Sequence, residues 1–133
     1  MLEPLVVLSA AAATGPGRKI FVKDKKNIIL TVASNGVGVG ENFTIQAQGS
    51  AEELAPDFSA AKSVSNMWDY IQMIKQTDGT PVDGSTGDLF SGSDDVRIYE
   101  LNVNGLTWMT LNITALTGTL AVTAHAMEYG HGN

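Results

Sequence analysis

Hydrophobic residues recur at every second position along most of this chain. That is the period of a strand with one buried face, not the 3.6-residue period of a helix. Phe43, Ile45 and Ala47 alternate with Thr44, Gln46 and Gln48. Met109, Leu111, Ile113 and Ala115 alternate with Trp108, Thr110, Asn112 and Thr114, and Leu120, Val122, Ala124 and Ala126 keep the same rhythm. Residues 27–34 are apolar at nearly every position, Ile28, Leu30 and Val32 being interleaved with Ile29, Thr31 and Ala33. This pattern predicts a strand covered on both faces or nearly so. Residues 67–76 read as one long aromatic-rich strand and residues 18–22 as a short one.

Turn chemistry separates these runs. Gly15-Pro16-Gly17 predicts a turn, and the Gly36, Gly38, Gly40 run predicts a hairpin connection. Asn104-Gly105 and Thr117-Gly118 divide residues 99–126 into an expected three-strand meander. Residues 49–65 read as irregular, with one helical turn near 59–62, and residues 77–95 as an exposed loop-rich stretch. Together these elements predict an all-β chain, an antiparallel β-sandwich or jelly roll of eight or nine short strands with an extended N-terminal arm. The expected divisions are residues 1–17 as arm or edge strand, 18–128 as the sandwich and 129–133 as a flexible C-terminal tail.

Composition narrows the chemistry. A length of 133 residues fits one domain, and 44% hydrophobic with 17% charged residues fits a packed one. Fourteen acids against eight bases give a net charge of −6, which argues against a duplex-DNA or anionic-membrane surface as partner. The absence of cysteine removes disulfides, thiolate zinc sites and thiol nucleophiles. The apolar stretch 5–13 is far short of the roughly 20 residues that span a bilayer. Glu3 and Pro4 stand where a secretory signal would carry positive charge. Leu5, Val6, Val7 and Leu8 therefore read as a β-strand or extended arm that pairs with something.

Neither histidine sits in a catalytic or metal motif: His125 alternates out of the apolar face of its strand, and His131 lies near the end. The acidic turns through Asp78, Asp83 and Asp88 lack the spacing of a calcium loop, and Gly36–Gly40 lacks the lysine and hydroxyl of a phosphate loop. The expectation is a non-enzymatic protein with no catalytic residue, no metal and no cofactor. Trp68, Tyr70 and Trp108 read as oligomer contacts, or as a platform for stacking sugar rings. Charge is uneven, residues 1–26 carrying +3 against −9 in the remainder. Arg18, Lys19, Lys23, Lys25 and Lys26, with the apolar arm, form a candidate docking edge for an acidic protein surface.

Several segments in order carry a resemblance: 13–17 (Ala-Thr-Gly-Pro-Gly), 27–33 (Asn-Ile-Ile-Leu-Thr-Val-Ala), 43–50 (Phe-Thr-Ile-Gln-Ala-Gln-Gly-Ser), 103–108 (Val-Asn-Gly-Leu-Thr-Trp) and 113–118 (Ile-Thr-Ala-Leu-Thr-Gly). This set resembles small tailed-bacteriophage virion proteins of β-sandwich or jelly-roll type. The resemblance implies a structural role on the particle, as a capsid decoration (cement) protein. The alternatives are a tail or head-fibre subunit, or a glycan-binding adhesion module. The partners it implies are the major capsid protein and further copies of the chain as a homotrimer, with no nucleic acid and no membrane. The implied location is the virion's capsid surface, after synthesis in the host cytoplasm.

Overall fold

A computed structural model describes residues 4–131. Twelve strands occur among them: β1 (Leu5–Ala11), β2 (Gly15–Pro16), β3 (Ile20–Phe21), β4 (Lys25–Asn35), β5 (Asn42–Ser50), β6 (Asp69–Ile71), β7 (Met73–Lys75), β8 (Pro81–Val82), β9 (Asp88–Ser91), β10 (Val96–Asn102), β11 (Trp108–Thr117) and β12 (Ala121–His131). The first sheet runs β1-β12-β4-β10-β7-β8. The second runs β2-β11-β5-β6, with β3 also on β11 and β9 also on β5. The predicted antiparallel sandwich is what the chain forms, with more strands than expected because several short pieces of two to four residues add to the long ones.

Period two builds the core directly. Ile28, Leu30 and Val32 of β4, Tyr99 and Leu101 of β10, and Val122, Ala124 and Ala126 of β12 point inward from the first sheet. They meet Phe43, Ile45 and Ala47 of β5 and Met109, Leu111 and Ile113 of β11. At one edge the sheets are also joined by a polar cluster. The Asp88 carboxylate accepts the Tyr99 hydroxyl, and Arg97 Nη1 lies 3.1 Å and Lys75 Nζ 3.7 Å away. Burial, with the Asp88 charge beside it, pushes the Tyr99 phenol well above its ordinary range, so it stays a donor.

Several connections differ from expectation. The Gly36–Gly40 run leads from β4 in the first sheet to β5 in the second, so it bridges the two sheets and is not a hairpin. For the same reason β10, β11 and β12 are not a meander: they alternate between sheets. Residues 67–76 divide at exposed Gln72, sending β6 to the second sheet and β7 to the first. Period two tells which side of a strand is buried, and both sheets bury the same side toward one core. No helical turn forms at 59–62.

Both ends pair within the first sheet, and of the two alternatives for residues 1–17 the described part forms the edge strand. β1 is the edge strand of the first sheet, pairing Leu5 with Ala126 and Leu8 with Ala124. Val7 and Leu8 are core residues, 3% and 4% exposed, and the Arg18 N–H donates to the Val7 carbonyl at 2.8 Å. A Cβ at Gly17 would stand 2.3 Å from that carbonyl, so only glycine lets the chain pass β1 this closely. At the other end β12 continues through 129–131, with His131 opposite Lys25, where a flexible tail was expected. Gly132 and Asn133, and likewise residues 1–3, lie outside the described residues.

Candidate partner-binding surfaces

The predicted docking residues do not form one patch. Leu5 and Lys25 come together at an end of the sandwich, in a slot of about 210 Å³ walled by Leu5, Ile20, Phe21, Ile28 and Ala126. The Lys25 ammonium and the Glu128 carboxylate, 2.9 Å apart, line the same slot. Phe21 is 52% exposed and sits edge-on to Trp108, ring centroids 5.1 Å apart, with exposed Lys23 lining the adjoining depression. Arg18, Lys19 and Lys26 are exposed, and Lys19 acts on Asp57 rather than on the slot. Val6 faces away beside His125, while Val7 and Leu8 are withdrawn into the core. Phe21 was not singled out from sequence. Its signal is an aromatic within a basic run, paired with Trp108 across β3 and β11.

The outward face of the second sheet is roofed by its own chain. Gln46, Gln48, Ser50 and Thr110 point away from the core yet are buried. Each donates to the carbonyl of a covering segment: Gln48 to Phe58, Ser50 to Met67, Gln46 to Ser85 and Thr110 to Arg18. Phe58, Trp68 and Tyr70 form the aromatic part of this roof, with Trp68 and Tyr70 edge-on at 5.0 Å. Lys62 pairs with Asp69 at 2.7 Å and lies over the Tyr70 ring. The Trp68 and Trp108 indole N–H groups donate to the carbonyls of Ala60 and Glu53. The tryptophans therefore belong to two separate clusters held by internal hydrogen bonds, not to a single stacking platform.

The acidic turns use their carboxylates locally. Asp78 is held below the ordinary aspartate range by the Thr80 side chain and then by the Thr80 N–H, and Asp83 by the Ser85 hydroxyl and then by the Ser85 N–H. The outward face of the first sheet is different again. Ile29, Thr31, Ala33, Val96, Ile98, Thr123 and Met127 all point outward, and none is buried. Sequence reading expected β4 to be covered on both faces, but in the monomer only one is.

No family model matches this chain, and no curated protein matches it. Two solved structures share its fold. The SPBc2 prophage-derived protein YomS superposes with a TM-score of 0.59 at 10% identity, over 93% of this chain and 90% of its own. The PBSX exported protein XepA superposes with a TM-score of 0.62 at 19% identity, over 95% of this chain but only 37% of its own. The sandwich is thus a fold found in prophage proteins.

Proposed function

We propose that this protein is a non-enzymatic structural component of a bacteriophage particle, a capsid decoration protein that binds the major capsid protein. The observation that carries the reading is the slot where Leu5, Phe21 and Lys25 converge. It has room for one large apolar side chain and is flanked by exposed Lys23, a combination suited to an acidic surface bearing an apolar knob. The shared fold with prophage proteins supports the same reading. A protein repeated over a lattice needs no tight single contact, because many modest ones add.

The test is occupancy on purified particles. The wild-type protein is expected to copurify in hundreds of copies per particle, and Phe21→Ser combined with Lys23→Glu should lower occupancy by about tenfold or more. Both side chains are exposed, so the variant keeps its fold. A handful of copies would instead indicate a tail or head-fibre subunit, and unchanged occupancy in the variant would remove the slot from the account. Deleting residues 1–12 is not a usable test, since it strips Val7 and Leu8 from the core.

A further inference from the structure

The slot is the first of three hollows that share walls. Phe21 lines both the slot and the depression beside it, where Lys23 also stands. Glu53 lines both that depression and a groove bordered by Glu52, Leu54, Val64 and Met67. Trp108 ties the sequence together, its ring edge-on to Phe21 at 5.1 Å and its indole N–H donating to the Glu53 carbonyl at 3.2 Å. The depression and the groove hold about 620 and 580 Å³ against about 210 Å³ for the slot, so one inserted side chain leaves most of the track empty. The apolar wall of the groove is open to water, Leu54 being 83%, Val64 86% and Met67 47% exposed. It is nonetheless tied down. Asn66 accepts the Asp57 N–H and donates to the carbonyls of Asp57 and Ala61, and the Ser50 hydroxyl donates to the Met67 carbonyl. A wall fixed in advance loses little freedom when a partner covers it.

Charge changes sign along the track. Lys23 lines the middle hollow, whereas Glu52 and Glu53 line the groove, and none of the three has an ion pair among the described residues. The neighbouring charges are engaged already: Lys62 pairs with Asp69 at 2.7 Å, and Asp57 accepts from the Ser59 N–H and hydroxyl. Resting on the capsid reading, we infer that the capsid partner presents an extended segment that fills the whole track. It carries a large apolar side chain for the slot, a carboxylate for Lys23, a cation for Glu52 and Glu53, and an aliphatic side chain for Leu54 and Val64. A uniformly acidic surface serves only the first half, because Glu52 and Glu53 repel it and Leu54 and Val64 stay wet. In extended chain, side chains two residues apart point the same way about 7 Å from each other, which lets one backbone serve successive hollows.

The experiment is occupancy of purified particles by full-length protein at subsaturating concentration. Leu54→Asp combined with Val64→Asp should lower occupancy about tenfold, and Glu53→Lys about threefold. All three side chains are exposed, so circular dichroism should match wild type; Leu54→Asp alone provides the readout if the double variant does not fold. The deciding variant exchanges the charges, Lys23→Glu with Glu53→Lys, at constant net charge. Along a track with a fixed order of charges it should bind no better than either single variant. Attraction to a uniformly acidic surface would instead make Glu53→Lys bind more tightly and the exchanged variant recover. Either of those results would overturn the track, as would wild-type occupancy by the groove variants. The slot would still stand if Phe21→Ser with Lys23→Glu alone loses occupancy, whereas unchanged occupancy in that variant too would remove both.

Discussion

The two outward faces of the sandwich invert the usual distribution of polarity. The second sheet turns Gln46, Gln48, Ser50 and Thr110 away from the core and then buries them beneath its own chain. The first sheet turns Ile29, Ile98, Val96 and Met127 outward and leaves them uncovered. The difference follows from what each kind of side chain can accept as cover. Amides and hydroxyls need partners when buried, and irregular chain, rich in carbonyls not engaged in a ladder, supplies them. Methyl and methylene groups need only a flat apolar surface, which a loop full of backbone dipoles provides poorly and another sheet face provides well. One face is therefore finished within the chain, and the other is suited to completion from outside.

The strongest challenge to this contrast is to damage the roof. Phe58 is 3% exposed and packs toward Trp68, ring centroids 6.1 Å apart. Phe58→Ala is expected to cost about 3 kcal/mol by cavity formation, measured by urea unfolding. A loss below about 1 kcal/mol would mean that the roof is surface decoration and not part of the cooperative structure. A smaller effect is expected one layer down. Gln48 is 1% exposed, its amide N–H donates to the Phe58 carbonyl at 3.0 Å, and its Oε1 has no hydrogen-bond partner among the described residues. Gln48→Met keeps the volume and removes both the donor and the orphaned acceptor, so the two terms oppose each other. A net cost of about 1 kcal/mol is expected, because the Phe58 carbonyl loses its donor. A stabilised variant would show that the buried amide serves position rather than stability.

How much of this was legible beforehand depends on which physical signal each feature leaves. The strands and their inward residues were readable because burial of one face imposes period two, as at Phe43, Ile45 and Ala47 or Val122, Ala124 and Ala126. Sheet membership was not, since β10, β11 and β12 show the same alternation whether they pair side by side or face each other across the core. The mixed apolar pattern of β4 predicts cover on both sides, yet within the chain only the inward side is covered, because alternation that is nearly all apolar does not say which side meets the core. That Leu5–Leu8 form a pairing strand was legible, but that Val7 and Leu8 enter the core was not, because nothing local records that Gly17 lets the chain close over β1. The slot was half visible: Leu5 and Lys25 were both named, but only folding shows that they line one cavity with Phe21. The roof was least legible, because its bonds join side chains to the carbonyls of residues with no periodicity.

The gentlest discriminator is acid. Two carboxylates help fix the roof. Asp57 is held below its ordinary value of 3.8 by the Ser59 hydroxyl and then by the Ser59 N–H. Asp69 is held below it by Lys62 and then by the Tyr70 N–H. A carboxyl group whose folded pKa is depressed contributes stability that is complete above its unfolded value and lost as pH falls through the folded one. The roof should therefore loosen as pH drops below 3.8, and only slightly, because both groups face water and are screened. Amide hydrogen exchange, corrected for intrinsic rates and compared between about pH 5 and pH 3, should show increased opening across residues 57–70. Residues 28–33 in the centre of the first sheet, whose outward side chains carry no charge, should hold their protection. Ser59→Ala should flatten the response in the roof. If both regions loosen together, the roof is not an independently opening layer, and the contrast between the two faces is one of composition alone.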